Sequence, residues 1–223
     1  MDGDGFSTDE LTANFRDITR VNRWFGGTSA MLQALPTLIP SGATTISLLD
    51  LATGVADIPI AVERWCEARG YDVAITATDV SPQILTLARN QIVGSTRIHL
   101  QQADARALPF PNDTFDVVTC SLALHHFGPA DAVLVLKEMD RIGRYGFIVN
   151  DLRRGAVGYG ATWVASRLTT RNRLTRNDAP LSIRRAYTPA ELCVLLDEAG
   201  VTNAEVKILP WFRMVAIKRA TSE

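Results

Sequence analysis

Short runs of aliphatic and β-branched residues alternate with longer amphipathic stretches along most of the chain. Glycines such as Gly70 and Gly94 follow the amphipathic stretches, at positions where helices end in a left-handed residue. Regular alternation of strand and helix is typical of a parallel sheet covered by helices. The apolar runs predict strands at residues 45–50, 73–78, 97–101, 115–120 and 145–150.

The segments on either side of this alternation predict the remaining elements. Before the first strand, apolar residues at helical spacing predict one or two helices that lie over the sheet. After the fifth strand, a helix should begin behind Thr188, followed by strands near 203–209 and 212–218. Strands joined by a short turn run antiparallel, so we expect a mostly parallel seven-stranded sheet with an antiparallel edge strand. The predicted fold is an α/β, Rossmann-like three-layer sandwich.

Composition narrows the possible partners and surroundings. The formal net charge of −1 gives no broad basic field, so nucleic acid is not an expected partner. The three cysteines lie far apart and outline neither a disulfide framework nor a metal knuckle, which fits a reducing compartment. The first ten residues lack the pattern of a signal peptide, and no later stretch is apolar enough to span a bilayer. We therefore expect a cytoplasmic protein with no membrane partner and no metal.

The most informative motif is the sequence LLDLATGVAD at 48–57, where an apolar strand runs into small residues and then a helix. Small side chains around Gly54 let a ligand approach the backbone. In open α/β sheets, ligands bind beyond the carboxyl ends of the strands, where the next helix presents free N–H groups. The turn therefore indicates a cofactor site, although a tight connection that needs small residues only for packing would look the same.

Acidic residues follow the next two predicted strands. Asp79 ends the second strand, where a carboxylate can accept both hydroxyls of a ribose. Its alternative role is to cap the helix beginning near Pro82, but Ser81 already occupies that position. Asp104 follows the third strand and could accept the exocyclic amine of adenine, with the Ala105 N–H meeting a ring nitrogen. Carboxylates at successive strand ends favour an adenosine-containing ligand.

Together with FDVVTCSLALHHF at 115–127, these motifs closely resemble the class I S-adenosylmethionine-dependent methyltransferases, in particular their ubiquinone/menaquinone-methyltransferase-like branch. The similarity covers roughly residues 45–150. Outside it, VNRWFGGT and FIVNDLRRG also resemble methyltransferases encoded beside type III polyketide synthases. The resemblance implies S-adenosylmethionine as methyl donor, S-adenosylhomocysteine as product, and a small-molecule acceptor with an aromatic ring.

The resemblance also assigns residues to parts of this donor. In such proteins the segment containing Asn22 and Arg23 folds over the cofactor, where these side chains would contact its carboxylate or remain on a solvated face. Ala52 stands where the family usually has its first glycine, which could reshape the pocket. The implied contacts are Asp50, Ala52, Gly54 and Asp57 to the methionine part, Asp79 with the adjoining Val80 to the ribose, Asp104 and Ala105 to the adenine, and the Ser121 backbone to the amine.

The acceptor end offers a candidate base. His125 and His126 follow the fourth strand, and a neutral imidazole can remove a phenolic proton as the oxygen becomes nucleophilic. Alternatively, one histidine caps the next helix and the other packs against the cofactor. Five further residues are expected to line the acceptor pocket, unless they belong to solvated loops or the core: Asn150, Arg153, Arg154, Tyr159 and Trp163.

These observations predict one methyltransferase domain over 1–223, with O-methylation of a phenolic or polyketide-derived hydroxyl as its first expected reaction. C-methylation of a quinol-like ring is the nearest alternative. A nicotinamide-dependent oxidoreductase is disfavoured because the GxGxxG fingerprint is absent, and a non-catalytic cofactor-binding protein remains open. The predicted parts are a helical N-terminal segment (1–44), a cofactor-binding core (45–150), a substrate cap (151–187) and a C-terminal helix with two strands (188–223).

Overall fold

A computed structural model describes residues 8–220, in which helices cover both faces of a central sheet. The seven strands are β1 (Thr45–Leu51), β2 (Asp72–Asp79), β3 (Ile98–Gln102), β4 (Phe115–Ser121), β5 (Gly143–Leu152), β6 (Ala204–Leu209) and β7 (Arg213–Arg219). The α-helices are α1 (Thr8–Trp24), α2 (Gly27–Ala34), α3 (Asp57–Glu67), α4 (Pro82–Gln91), α5 (Pro129–Ile142), α6 (Ala156–Thr169), α7 (Arg173–Arg185) and α8 (Pro189–Glu198). Short 3-10 helices lie at Leu35–Thr37 and Leu124–His126.

The strand order is β3-β2-β1-β4-β5-β7-β6, and β1 to β5 run parallel. The predicted mixed sheet is therefore confirmed. The antiparallel strand, β7, lies one position in from the edge, and β6 pairs with it on the outside. The chain order reverses between β1 and β4, and ligands of open α/β sheets bind at such a switch point, beyond the carboxyl ends of the strands.

Strand β5 continues two residues beyond the predicted run, through Asp151 to Leu152. The extension pairs with β7, where Asp151 lies opposite Met214 and Leu152 opposite Arg213. Local hydrophobicity could not show this pairing, because the partner strand lies about 60 residues away along the chain. Asp151 and Leu152, which the prediction placed at the start of the substrate cap, therefore belong to a strand at the edge of the switch point.

The side chains of β5 divide between two cores. Phe147 and Val149 pack with α5 and α8, whereas Ile148 packs on the opposite face with residues of α2 and α3. Successive side chains of a strand point to opposite faces, so Asn150 falls on the α2 face and Asp151 on the α5 face. The side chains of the adjacent residues Asn150 and Asp151 therefore lie on opposite faces of the sheet.

The expected N-terminal helices and the segment between β5 and α8 complete the fold. Helix α2 packs against α3, β5 and β7, and α1 lies against α2 and α7. Helices α6 and α7 pack against each other, and α7 also contacts the Leu124–His126 turn. No helix within residues 8–220 has the length and apolar character needed to cross a lipid bilayer.

Candidate active site

The turn after β1 adopts an unusual backbone conformation. Ala52, Gly54 and Ala56 all have positive φ angles, of 51°, 57° and 62°. A left-handed conformation costs a residue with a Cβ roughly 1–2 kcal/mol, and such strain is typical of functional sites. The backbone N–H of Gly54 donates to Oδ2 of Asp79 at 3.2 Å, which ties this turn to the end of β2. Ala52, which stands where related methyltransferases usually have a glycine, thus adopts a left-handed conformation that glycine takes more readily.

Three carboxylates surround this turn with perturbed acidity. Burial raises the pKa of Asp50 to about 7. Thr119 Oγ1 donates a hydrogen bond to its carboxylate at 2.7 Å, which lowers the pKa but does not offset the effect of burial. Burial also raises the pKa of Asp57 and of Asp79. The negative charges of Asp57 and Asp79 also raise the pKa of Asp50, because each repels the ionised Asp50 carboxylate. A cation placed among them would relieve that repulsion.

We expect Asp50→Asn to change how stability depends on pH. The unfolded chain ionises this carboxyl near pH 4, whereas the folded protein keeps it protonated up to about pH 7. The wild type therefore loses stability relative to the variant as the pH rises, by on the order of 3 kcal/mol between pH 5 and pH 8. Urea unfolding of both proteins across this range measures the difference. A difference that does not vary with pH would contradict the assignment.

A buried polar network joins the N-terminal helices to the same edge of the sheet. Nη2 of Arg213 donates to Oδ1 of Asn22 at 3.1 Å, and Nδ2 of Asn22 donates to Oδ2 of Asp57 at 3.0 Å. Arg213 is only 1% exposed, and burial lowers its pKa to about 10. A Cβ on Gly27 would lie 2.9 Å from both terminal nitrogens of Arg213, so the glycine makes room for the guanidinium. Sequence reasoning missed Arg213.

Two buried atoms near this network have no hydrogen-bond partner among the described residues. They are Nη1 of Arg213 and Oδ1 of Asn150. Nδ2 of Asn150 donates to the Gly27 carbonyl at 3.0 Å, so both unpartnered atoms lie close to the start of α2. An unmade hydrogen bond is costly in a buried environment, so the pair marks a place where a polar ligand group would be stabilised.

Other residues implied to contact the cofactor have mixed surroundings. Asn22 is buried, but Arg23 is exposed in the last turn of α1. Asp104 accepts hydrogen bonds from the Arg106 side chain on both carboxylate oxygens, at 3.0 and 2.7 Å, and this contact lowers its pKa. Ala105 is buried beside it, whereas Val80 is 62% exposed. Ser121 ends β4, and its Oγ is 3.5 Å from Nδ2 of Asn150.

The strongest catalytic geometry is a pair formed by His125 and Asp151. Nδ1 of His125 is 2.7 Å from Oδ1 of Asp151, and the His125 backbone N–H donates to Oδ2 at 3.0 Å. Burial alone would raise the pKa of Asp151, but the His125 ring and the N–H groups of Leu152 and His125 lower it overall. The ionised carboxylate only accepts hydrogen bonds, so Nδ1 of His125 is the donor. In the neutral imidazole this leaves the lone pair on Nε2, a buried atom that has no hydrogen-bond partner within residues 8–220.

The structure distinguishes the two neighbouring histidines. His125 is 5% exposed and belongs to the pair with Asp151. His126 is exposed, and its ring centroid lies 4.2 Å from that of His125. A carboxylate that fixes one ring nitrogen also fixes the orientation of the other nitrogen, which is how histidine bases are commonly positioned. The geometry therefore favours His125 over His126 as a base.

The predicted acceptor residues do not form one cluster. Asn150 is on the opposite face of the sheet from Asp151, and Arg153 donates its backbone N–H to the Phe212 carbonyl at 2.7 Å. Arg154 is ion-paired with Glu191. Tyr159 and Trp163 lie on α6 and are 40% and 44% exposed. Helical spacing alone could not show which direction these α6 side chains face.

An open cavity of about 550 Å³ lies at the other end of the sheet, beside the amino ends of β1 and β2. It is lined by residues including Ser47, Arg97 and His99. We place the candidate active site at the carboxyl ends instead, because the left-handed turn, the perturbed carboxylates and the His125–Asp151 pair all lie there. Within the part of the chain that the structure describes, no three His, Cys, Asp or Glu side chains are grouped as metal ligands would be.

Comparisons with known proteins agree with this fold and indicate a methyltransferase core. Residues 48–146 match the sequence profile of a methyltransferase domain. A demethylmenaquinone methyltransferase of Bacillus licheniformis is 35% identical over 108 residues, which cover 48% of this chain and 43% of the relative. A ubiquinone/menaquinone biosynthesis C-methyltransferase of Geobacter sulfurreducens is 34% identical over 102 residues, 44% of this chain and 38% of the relative. The chain thus spans less than half the length of these curated relatives.

A solved structure extends the similarity to nearly the whole fold. A crystal structure of an S-adenosylmethionine-dependent methyltransferase from Aquifex aeolicus has a TM-score of 0.65, with 14% identity, over 96% of this chain and 98% of that one. Over residues 48–146 the chain is similar to S-adenosylmethionine-dependent methyltransferases, and the solved structure shows that it shares the class I methyltransferase fold. Its core is similar to the ubiquinone/menaquinone branch, as the sequence motifs predicted. The comparisons give no specific support to the resemblance with polyketide-associated methyltransferases.

Proposed function

We propose that this protein transfers the methyl group of S-adenosylmethionine to a ring carbon of a small hydroxylated aromatic acceptor, a quinol-like compound. The observation that carries the proposal is the buried His125–Asp151 pair, in which the carboxylate holds Nδ1 of His125 and Nε2 has no hydrogen-bond partner among the described residues. We favour methyl transfer to carbon over transfer to oxygen because the relatives similar to the core include a C-methyltransferase of quinone biosynthesis. The sequence alone ranked these two reactions the other way round.

The charges at the switch point suit the proposed donor. S-adenosylmethionine carries a sulfonium and an ammonium group, and these cations would favour the ionised forms of Asp50, Asp57 and Asp79, which burial disfavours in the free protein. It also carries a carboxylate, for which Nη1 of Arg213 is an unpartnered buried donor. A nicotinamide dinucleotide would instead bring an anionic pyrophosphate among the three carboxylates. The electrostatics therefore favour the sulfonium cofactor over the nicotinamide alternative.

The donor supplies an electrophilic methyl group, so the protein has to orient the acceptor and remove its proton. We assign proton removal to Nε2 of His125, and Asp151 stabilises the imidazolium that forms. Deprotonating the hydroxyl places negative charge on the adjacent ring carbon, which forms the new C–C bond as the S–C bond breaks. That carbon then loses its own proton to restore the aromatic ring, and the imidazolium of His125 returns a proton to the phenolate oxygen, so the net reaction releases one proton.

Transfer to oxygen is the second candidate, because the same base would activate a phenolate oxygen. Incubating the purified protein with ¹³C-methyl-labelled donor and hydroquinones that have a free ring position next to a hydroxyl distinguishes the two. We expect NMR to show the label bonded to a ring carbon. A label on oxygen would establish the second candidate. Cofactor binding without transfer to any hydroquinone or phenol would favour a non-catalytic cofactor-binding protein.

A further inference from the structure

Helix α6 packs against the protein through its small and polar residues. Gly158 and Ser166 are the buried positions of this helix. A Cβ on Gly158 would lie 2.9 Å from Cγ of Phe212, so the helix approaches the Phe212 ring closely at the glycine. Positions 158, 162 and 166 are spaced by four residues and share one face of a helix. The face toward the protein is thus the one with little apolar surface to bury.

The opposite face of α6 carries a continuous apolar stripe that is exposed to solvent. Val157, Ala161, Val164 and Leu168 follow the spacing i, i+4, i+7, i+11, which aligns them along one side of a helix. Val157 is 76% exposed, Val164 49% and Leu168 81%. A surface helix normally turns its apolar stripe toward the core. The reversed orientation indicates a surface that is covered by something else.

The segment that carries this stripe is strongly basic. Residues 153–185 contain eight arginines and one aspartate, a net charge of +7, and the rest of the chain carries −8 to give the overall −1. Arg167 lies at the flank of the stripe, with its guanidinium carbon 3.8 Å from the Trp163 ring centroid. Arg171 follows α6 and is exposed. A single part of a nearly neutral protein therefore combines exposed apolar residues with concentrated positive charge.

We propose that the α6 stripe and its flanking arginines dock this protein onto the surface of an anionic lipid bilayer. An amphipathic helix with apolar residues on one side and arginines at its flank lies in the plane of the bilayer interface. Anionic headgroups attract the arginines, and the acyl boundary takes up the apolar side chains. This proposal departs from the expectation of no membrane partner, which rested on the absence of a membrane-spanning stretch; of the α6 residues, only Tyr159 and Trp163 were expected to face the acceptor. The inference concerns surface binding and does not depend on the reaction catalysed.

Cosedimentation of the purified protein with vesicles tests the proposal. We expect binding to vesicles of mixed phosphatidylglycerol and phosphatidylcholine at low salt, and binding at least about tenfold weaker to pure phosphatidylcholine. The double variant Val164→Ser/Leu168→Ser should lose at least about tenfold in binding to the anionic vesicles. Replacing Arg167 or Arg171 by Gln should weaken binding by about fivefold each.

The matched control is Val93→Ser/Val194→Ser, which removes two apolar side chains that are 84% and 54% exposed elsewhere on the protein. It should bind vesicles like the wild type, and circular dichroism should show that both double variants are folded. Equal loss in both double variants, or no sedimentation with anionic vesicles, would overturn the proposal. A wild-type dimer that Val164→Ser/Leu168→Ser dissociates, seen by analytical ultracentrifugation without lipid binding, would overturn it in favour of self-association.

Discussion

Replacing His125 by Gln is expected to lower kcat by roughly 10²- to 10⁴-fold, the usual contribution of a positioned general base. Glutamine preserves hydrogen-bonding capacity but cannot accept the acceptor's proton at neutral pH. Affinity for S-adenosylhomocysteine should stay within about twofold of wild type, because the proposed donor contacts lie on other residues. Steady-state kinetics and calorimetric titration of the same protein preparation measure both quantities.

His126→Gln is the matched control, since it makes the same change at the neighbouring, exposed histidine. We expect its kcat to remain within about threefold of wild type. Asp151→Asn should lower kcat without a matching rise in KM, because the carboxylate that orients the imidazole and stabilises the imidazolium is gone. Wild-type turnover in His125→Gln would remove the proposed base.

Asp79→Ala is expected to weaken S-adenosylhomocysteine binding by about 100-fold or more. The change removes a carboxylate proposed to accept two ribose hydroxyls, and hydrogen bonds to charged groups contribute roughly 1.5–3 kcal/mol each. Asp79 also accepts backbone N–H groups of Gly54 and Ser81, at 3.2 and 3.0 Å, so some stability is lost as well. We expect the loss of binding free energy to exceed the loss of unfolding free energy.

Asp72→Ala serves as the control for this effect, because it removes a carboxylate from the other end of the same strand, β2. Its ion pair with Arg97 is at the surface, so we expect little change in either binding or stability. Calorimetric titration measures the binding free energy, and urea unfolding measures the free energy of unfolding, for the wild type, Asp79→Ala and Asp72→Ala. Unchanged affinity in Asp79→Ala would exclude the proposed ribose contact.

Much of the fold could be predicted because β1 to β5 are marked by local patterns. An apolar strand, a turn of small residues and an acidic strand end follow one another in the sequence, and the parallel arrangement brings their carboxyl ends to one edge. At the far edge, β7 rather than β6 lies next to β5, so the spatial order of these two strands is the reverse of their order in the chain. Which of the two strands pairs with β5 is decided by contacts between segments that are distant in the sequence, and local hydrophobicity does not encode these contacts.

The proposed catalytic pair and the buried guanidinium of Arg213 show why the candidate site was only partly predictable. His125 was found because it follows a strand, but the predicted fifth strand stops one residue before Asp151, and only the extended β5 places this carboxylate beside the histidine. Arg213 stands alone at the start of β7, where an arginine ordinarily remains solvated. It is buried because α1 and α2 cover it, and that packing has no signature in its own segment.

Calorimetric titration of the purified protein with S-adenosylhomocysteine, in parallel with NADH, tests the central claim most directly. The claim is that the carboxyl ends of β1 and β2 form a site for an adenosyl sulfonium donor. We predict saturable binding of one S-adenosylhomocysteine per chain, greatly weakened in Asp79→Ala, and no binding of NADH. Absence of any affinity for S-adenosylhomocysteine, or saturable binding of NADH in its place, would contradict the account.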